Sequence, residues 1–331
     1  MAKYQNVAVF CERKEGKISP LTTEALGIGR KLADDLGQAL VAIAVGNQVG
    51  DLAEAAVRYG ADKAYVVDDV LFSDYQADAY VAAMQNLVDR TAAQILILGQ
   101  TDIGRDLAPR LAFRLGTVAT LDCLDLAIDG GSKRLLQTKP VYGGNAKKVI
   151  STDMDPQIVT VRSKAMTALE PDESRQGEII AVDAGVDARV VRTKLVERVA
   201  EEVAGVKLEE AGVVISGGRG IGGPEGFAEL EALAKLMGGA VGASRPVTDK
   251  NWYPNNRLVG LTGKIIAPDV YIAVGISGSC QHMAGCSGAK TLVAINMDPE
   301  ASIFKFAHYG VVGDWKTIVP AFTEKLKTMA G

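Results

Sequence analysis

The feature that most constrains this chain is a rhythm. Short β-branched, apolar runs alternate with longer runs whose apolar residues recur every three or four positions. Asn6–Glu12, Leu40–Gly46, Lys63–Asp68 and Gln94–Gly99 have the length and composition of buried strands. Leu21–Leu36, Asp51–Tyr59, Asp78–Arg90 and Ile103–Leu115 carry helical spacing. Such alternation builds right-handed crossovers and a mainly parallel sheet covered on both faces. From Thr120 the pattern changes. Thr120–Ala127, Arg134–Tyr142, Lys147–Thr152 and Gln157–Arg162 are strand-like, with Asp129-Gly130-Gly131 and Gly143-Gly144-Asn145 as turns, which predicts hairpins or a meander added to the first domain. Ala168–Gly177, containing Pro171, reads as a loop, Glu178–Val182 and Ala188–Val191 as strands, and Arg192–Val203 as a helix.

The rhythm restarts near Leu208. Ala211–Ser216, Gly239–Ser244, Val270–Gly275, Thr291–Asn296 and Tyr309–Val312 read as strands, Pro224–Met237 and Trp315–Met329 as helices. The predicted fold is α/β: two doubly wound, mainly parallel-sheet domains, 1–207 and 208–331, the first with an added antiparallel segment. A net charge of −4 over 331 residues argues against a nucleic-acid partner, which would need a basic face. No window approaches the roughly 18 apolar residues of a spanning helix, so membrane insertion is not expected. Met1–Asn6 runs straight into Val7–Phe10 without a signal-peptide pattern, and Cys11, Cys123, Cys280 and Cys286 are scattered. A soluble, cytoplasmic protein in a reducing compartment is the expectation.

The strongest chemical signal is Val213–Gly223, a strand running into Gly217, Gly218, Arg219, Gly220, Gly222 and Gly223, then a helix. Glycines let backbone N–H groups approach an anion, a helix amino terminus adds partial positive charge, and Arg219 offers a fork of donors for phosphate. The G-x-G-x-x-G match is weak alone, because no acidic residue stands where an NAD ribose needs one. A tight turn without ligand is the plain alternative. The next strand ends in Ser244-Arg245, where open α/β sheets bind ligands, although an isolated arginine is more often merely solvated. Gly260–Lys264 and Ile276–His282 supply two further polar loops. His282 alone reads first as a structural histidine. Cys280 and Cys286 flank it without a zinc-like ligand set, so they read as small apolar fillers and no metal is expected. His308 reads as a loop or surface histidine.

Taken in order, these segments resemble the FAD domain of the alpha subunit of electron-transfer flavoproteins. The resemblance rests on Ser216–Gly220, Val241–Arg245, Thr262-Gly263-Lys264, Ala273–Gly278, Gln281-His282, Ala294-Ile295-Asn296 and the tail from Pro299 through Tyr309-Gly310 to Asp314. Thr101–Arg110 resembles the family's amino-terminal domain. The resemblance implies an electron carrier and not a substrate-turning enzyme. FAD would be held here, with a beta subunit as partner carrying AMP or a second FAD. Donors would be flavin dehydrogenases, the acyl-CoA dehydrogenases of fatty acid β-oxidation first among them, and the acceptor a quinone oxidoreductase or another protein.

The resemblance also implies residue roles. Gly217, Gly218, Arg219 and Gly220 lie against the FAD phosphates; Ser244 binds the cofactor; Arg245 lies beside the isoalloxazine. Thr262 meets flavin N5, within the stretch Val259-Gly260-Leu261-Thr262. Ser277 and Gln281 hold the ribityl-phosphate part, Gly278, Ser279 and Cys280 between them also bind the cofactor, and His282 faces the pyrimidine side near O2. Asn296 and Asp314 engage the adenosine end, and Gly313 also binds the cofactor. Arg245, Thr262 and His282 would tune the potential: donors fixed near N1 and O2 stabilise an anionic flavin semiquinone. Leu261 and Leu258 stand where many members carry glutamine, which removes two side-chain amides. Two rivals remain, an NAD(P)-dependent dehydrogenase using Gly218–Gly223 and a flavin-free nucleotide-binding subunit.

Overall fold

The structure is a computed structural model describing residues 4–144, 146–193, 195–197 and 205–330. The chain divides into two units, Met1–Pro140 with Lys147–Arg198, and Val141–Ala146 with Val199–Gly331. The first runs β1 (Asn6–Cys11), β2 (Arg13–Lys14), β3 (Lys17–Ile18), α1 (Pro20–Leu36), β4 (Leu40–Gly46), α2 (Gly50–Arg58), β5 (Lys63–Asp68), α3 (Ala77–Thr91), β6 (Ala93–Gly99) and α4 (Asp102–Leu115). It continues with β7 (Ala119–Cys123), β8 (Asp125–Ile128), β9 (Leu135–Val141), β10 (Ala146–Ile150), β11 (Gln157–Val161) and β12 (Glu178–Ala181). Seven strands form one sheet in the order β12-β5-β4-β1-β6-β11-β7, every pair parallel.

The central strands are apolar on both faces because both are covered. Val7 and Val9 of β1 join Leu26 and Leu32 of α1 and Leu52 of α2 in one cluster. Ala8 and Phe10 join Met84 and Leu87 of α3 and Leu107 and Leu111 of α4 in the other. The period of two along β1 thus assigns one helix pair to each face. Local signals start and stop these helices. Ser19 Oγ accepts from the Thr22 N–H at 3.1 Å, Pro20 opens α1, and Gly37 closes it at φ 65°.

Four expectations are corrected. Thr120–Ala127 is not one strand: Asp122 takes φ 68°, so β7 pairs parallel to β11 while β8 pairs antiparallel to β9. The break is held by Arg162, whose Nε and Nη2 grip the two Asp122 carboxylate oxygens at 2.8 and 2.5 Å. Gln157–Arg162 does not continue a meander either, since β11 lies between β6 and β7; only β8, β9 and β10 form the added sheet. Ala188–Val190 is a 3₁₀ turn capped by Asp187 rather than a strand. Of the expected helix Arg192–Val203, residues 192–193 and 195–197 are non-helical and exposed, so Leu195 and Val196 are not packed there, and the rest lies outside the described residues.

At the carboxyl end of β1, Thr101 Oγ1 lies 2.8 and 2.9 Å from the two Glu12 carboxylate oxygens, while accepting from the Gly104 N–H at the start of α4. Burial pushes the Glu12 carboxyl up from 4.5 to about 7; the Thr101 hydrogen bond opposes the rise and nearby Asp102 adds to it. The folded chain therefore holds a proton there that the unfolded chain has lost. That stabilisation is complete below about pH 4.5 and is lost as pH rises through 7. Glu12→Gln is expected to recover up to about 3 kcal/mol at pH 8 and little at pH 4. Denaturant melts of both forms across that range check it; parallel curves would refute the assignment.

The second unit runs β13 (Val213–Gly217), α5 (Phe227–Leu236), β14 (Ala240–Ala243), α6 (Arg245–Thr248), β15 (Val270–Val274), α7 (Cys280–Cys286), β16 (Thr291–Asn296), β17 (Tyr309–Val312) and α8 (Trp315–Ala330). Its sheet is parallel throughout, in the order β14-β13-β15-β16-β17. Ile272 and Val274 pack with Phe227 and Leu230 of α5 and Trp315 and Val319 of α8. Tyr271 and Ala273 pack with Met283 of α7. The chain leaves β13 to one side for β14 and returns on the other side for β15. That reversal opens a crevice at the carboxyl ends of the strands.

Candidate functional site

A cavity of about 550 Å³ lies in that crevice, within the range of small-molecule sites. Successive strand ends build it: Arg219 and Gly220 after β13, Ser244 and Arg245 after β14, Gly275, Ile276 and Ser277 after β15, Asn296 and Asp298 after β16. Val259, Gly260, Leu261 and Thr262 close one side, and Ser279, Gln281 and His282 at the start of α7 close another.

The glycines after β13 serve close approach. The Gly218 N–H donates to the Val274 carbonyl at 2.8 Å, and the Gly220 N–H to the Gly275 carbonyl at 3.0 Å. A Cβ on Gly218 would lie 2.1 Å from the Gly275 oxygen, so the two loops interlock only without side chains. These two N–H groups are thus engaged inside the protein, contrary to the sequence expectation that they face an anion. Nor does a helix follow directly: two 3₁₀ turns intervene, and α5 begins only at Phe227. The side chain of Arg219, exposed at the rim, remains the cation on this side, and it pairs with no carboxylate among the described residues.

Arg245 and Thr262 are brought together. Arg245 Nε and Nη2 donate to Thr262 Oγ1 at 3.2 and 2.5 Å, and Nη1 lies 3.5 Å from an Asp249 carboxylate oxygen. A hydroxyl oxygen that accepts twice keeps its own proton for a third group. The loop carrying Thr262 is fixed by the Val259 N–H to the Ala243 carbonyl at 2.9 Å and the Leu261 N–H to the Gln281 carbonyl at 2.8 Å. Leu261 is exposed at the cavity and supplies no donor. Ser244 is buried, lines the cavity, and makes no capping bond to α6.

His282 is buried against Tyr271, with Nε2 2.8 Å from the phenol oxygen. Burial holds the imidazole down at about 4, the Val259 backbone offsetting this only in part, so the ring is neutral at pH 7. Burial also raises the Tyr271 phenol well above its ordinary value, so it stays protonated beside Nε2. Nδ1 is buried without a partner of ordinary hydrogen-bond geometry. A buried polar atom without a well-formed partner at a cavity wall marks a place where a ligand hydrogen bond would be favourable.

Residues 7–187 match the family described as electron transfer flavoprotein domain, and residues 207–287 the electron transfer flavoprotein FAD-binding domain. The electron transfer flavoprotein subunit alpha of Thermoanaerobacterium thermosaccharolyticum is 43% identical over 330 residues, covering 99% of this chain and 100% of that protein. The chain belongs to the electron transfer flavoprotein alpha-subunit family. The Bacillus subtilis alpha subunit is 40% identical, covering 98% of both chains, and Protein FixB of Azotobacter vinelandii is 40% identical, covering 99% of this chain and 92% of its own.

Membership makes this an electron-transfer protein, and the residues present suit a flavin nucleotide: a rim guanidinium, a hydroxyl with a proton to give, and an unsatisfied ring nitrogen. In this alpha subunit Gly217, Gly218, Gly278, Cys280, Gly313 and Asp314 do not line the cavity. Gly217 is buried at the end of β13, where a Cβ would strike the Phe227 ring. Gly278, at φ 85°, permits close passage by the Ile303 backbone. Asp314 leads into α8, its carboxylate accepting from the Lys316 N–H at 3.0 Å, and Gly313 is tied to the Asn296 carbonyl at 2.9 Å. Asn296 Nδ2 donates to the Ile276 carbonyl at 2.9 Å. Cys280 is exposed, so only Cys286 is the apolar filler expected. His308 is exposed, yet its Nδ1 accepts from the Leu292 N–H at 2.9 Å. Asp298 joins the wall without having been singled out from sequence, although its place two residues beyond the end of β16 is a positional signal; Pro246 and Ala301, from the strand end and the segments that carry the resemblance, join it too.

Proposed function

We propose that the cavity holds FAD and that the chain is the FAD-carrying half of a heterodimeric electron carrier. The observation that carries this reading is the convergence of four successive strand ends and α7 on one cavity with donors on several sides. FAD bound there would supply one- and two-electron transfer. Arg219 is assigned to the phosphates, Ser277 and Gln281 to the ribityl-phosphate part, and Asn296 to the adenosine end, which would run past the cavity toward Asp314. Arg245 fixes positive charge beside the ring, Thr262 donates toward N5, and the Nδ1–H of His282 donates toward the N1–O2 edge. Because the imidazole is held neutral by burial, it acts as an oriented dipole whose hydrogen bond strengthens as negative charge develops opposite it.

The beta subunit is the partner, bearing AMP or a second FAD. Electrons come from flavin dehydrogenases, acyl-CoA dehydrogenases first among them, and leave to a quinone oxidoreductase or another acceptor in the cytoplasm. A dinucleotide dehydrogenase is disfavoured because β14 ends in Ser244-Arg245, where a ribose-binding carboxylate would be needed. Co-expression with the beta subunit, acid denaturation and chromatography of the released flavin test the reading. One FAD assigned to each alpha chain is expected; colourless protein that binds a nicotinamide nucleotide instead would refute it.

A further inference from the structure

α7 carries Gln281 and His282 to the cavity and is only seven residues long. With about 3.6 residues per turn, Cys280 and Ser287 share one side of it, and His282 and Gly285 lie toward the other. The inner side meets backbone. A Cβ on Gly285 would stand 2.3 Å from the Gly260 nitrogen and 2.4 Å from its Cα. Hydrogen bonds from the Leu261 N–H to the Gln281 carbonyl and from the Ile266 N–H to the Gly285 carbonyl, both 2.8 Å, hold α7 to this wall.

The outer side is covered by the turn between β9 and β10, whose residues Val141–Ala146 belong to the second unit. Tyr142, Gly143 and Gly144 take φ of 51°, 68° and 94°, three consecutive left-handed residues, a conformation that an L side chain such as that of Tyr142 disfavours. A Cβ on Gly143 would lie 2.7 Å from the Cys280 carbonyl oxygen, and one on Gly144 would lie 2.9 Å from Ser287 Oγ and 3.1 Å from Ser287 Cβ. α7 is therefore gripped between glycine backbone on both sides. Backbone held in a disfavoured conformation persists only where its surroundings over-determine it.

We infer that the Tyr142–Gly144 turn is a positioning element for the cofactor site, clamping α7 against Gly260 and so setting where Gln281 and His282 stand in the cavity. The inference rests on the reading that the cavity holds FAD. Tyr142, Gly143 and Gly144 do not line the cavity; the turn acts through α7.

Gly143→Ala meets backbone and can fail to fold, so the test uses Gly144→Ala, which meets the movable end of Ser287. In the purified heterodimer, Gly144→Ala is expected to raise the FAD dissociation constant about tenfold and to shift the flavin midpoint potential. Adding Ser287→Gly removes the atoms that the new methyl meets and restores both values, although the backbone strain at Gly144 remains. Gly37→Ala is the control: its φ is 65°, and nothing lies within 4 Å of a Cβ there. It lowers the melting temperature and leaves affinity and potential alone. Wild-type affinity and potential in Gly144→Ala, or no rescue by Ser287→Gly, would overturn the clamp. A wild-type heterodimer without FAD would instead remove the cavity reading, and the clamp with it.

Discussion

Alanine at position 218 is expected to destabilise the second unit by about 3 kcal/mol or more and to leave a heterodimer that does not retain FAD. Gly218 has φ −103°, which alanine adopts readily, so the penalty is steric and not conformational. The added methyl would sit 2.1 Å from the Gly275 oxygen, 2.6 Å from the Gly275 carbonyl carbon and 2.7 Å from the Ile276 Cα. All three are backbone atoms that cannot rotate aside. Relief requires separating the loops after β13 and β15, which breaks the Gly218–Val274 and Gly220–Gly275 hydrogen bonds and opens the cavity wall where Arg219 and Ser277 stand. Denaturant unfolding together with flavin content measures both effects. A wild-type midpoint with full flavin would show that the loops are not interlocked as described.

Arg245→Ala is expected to lower the one-electron reduction potential of the bound flavin by about 59 mV or more, the equivalent of a tenfold loss in preference for the reduced form. The guanidinium is permanently charged and is aimed by two hydrogen bonds to Thr262. Its removal takes away a fixed charge and also frees Thr262 Oγ1 to rotate, so two donors lose their orientation at once. Arg245→Lys keeps the charge but cannot reproduce the fork, and should fall between the two. Spectroelectrochemical titration of the three FAD-loaded proteins gives the ordering; superimposable titrations would remove Arg245 from any role beside the ring.

The central parallel strands of both sheets were legible because burial on two faces forces continuous apolar runs, as in Val7–Phe10 and Tyr271–Val274. Partner choice was not legible. Gln157–Val161 has the composition of any buried strand, and nothing near it says that it lies between β6 and β7. The break at Asp122 depends on Arg162, forty positions later, and so escapes a local pattern. The glycine loop shows the same limit. Gly218 and Gly220 match a phosphate-binding spacing, but their N–H groups are taken by Val274 and Gly275, which only the fold brings near. The partner of His282, Tyr271, lies in the preceding strand, and no histidine–tyrosine spacing announces it. Most residues of the cavity wall stand in the short polar loops after strands, and the order of those loops resembles the family as a whole. The Gly143-Gly144 turn was read for what it does to its own hairpin, not for the helix it covers.

The account stands on one flavin being held by the loops at the carboxyl ends of β13 to β16. The most direct measurement is an experimental structure of the FAD-loaded heterodimer. The predicted result places the isoalloxazine in this cavity, beside Arg245, with ring acceptors within about 3.2 Å of Thr262 Oγ1 and the His282 imidazole. A flavin ring bound elsewhere, with Thr262 and His282 both out of hydrogen-bond reach, would contradict it.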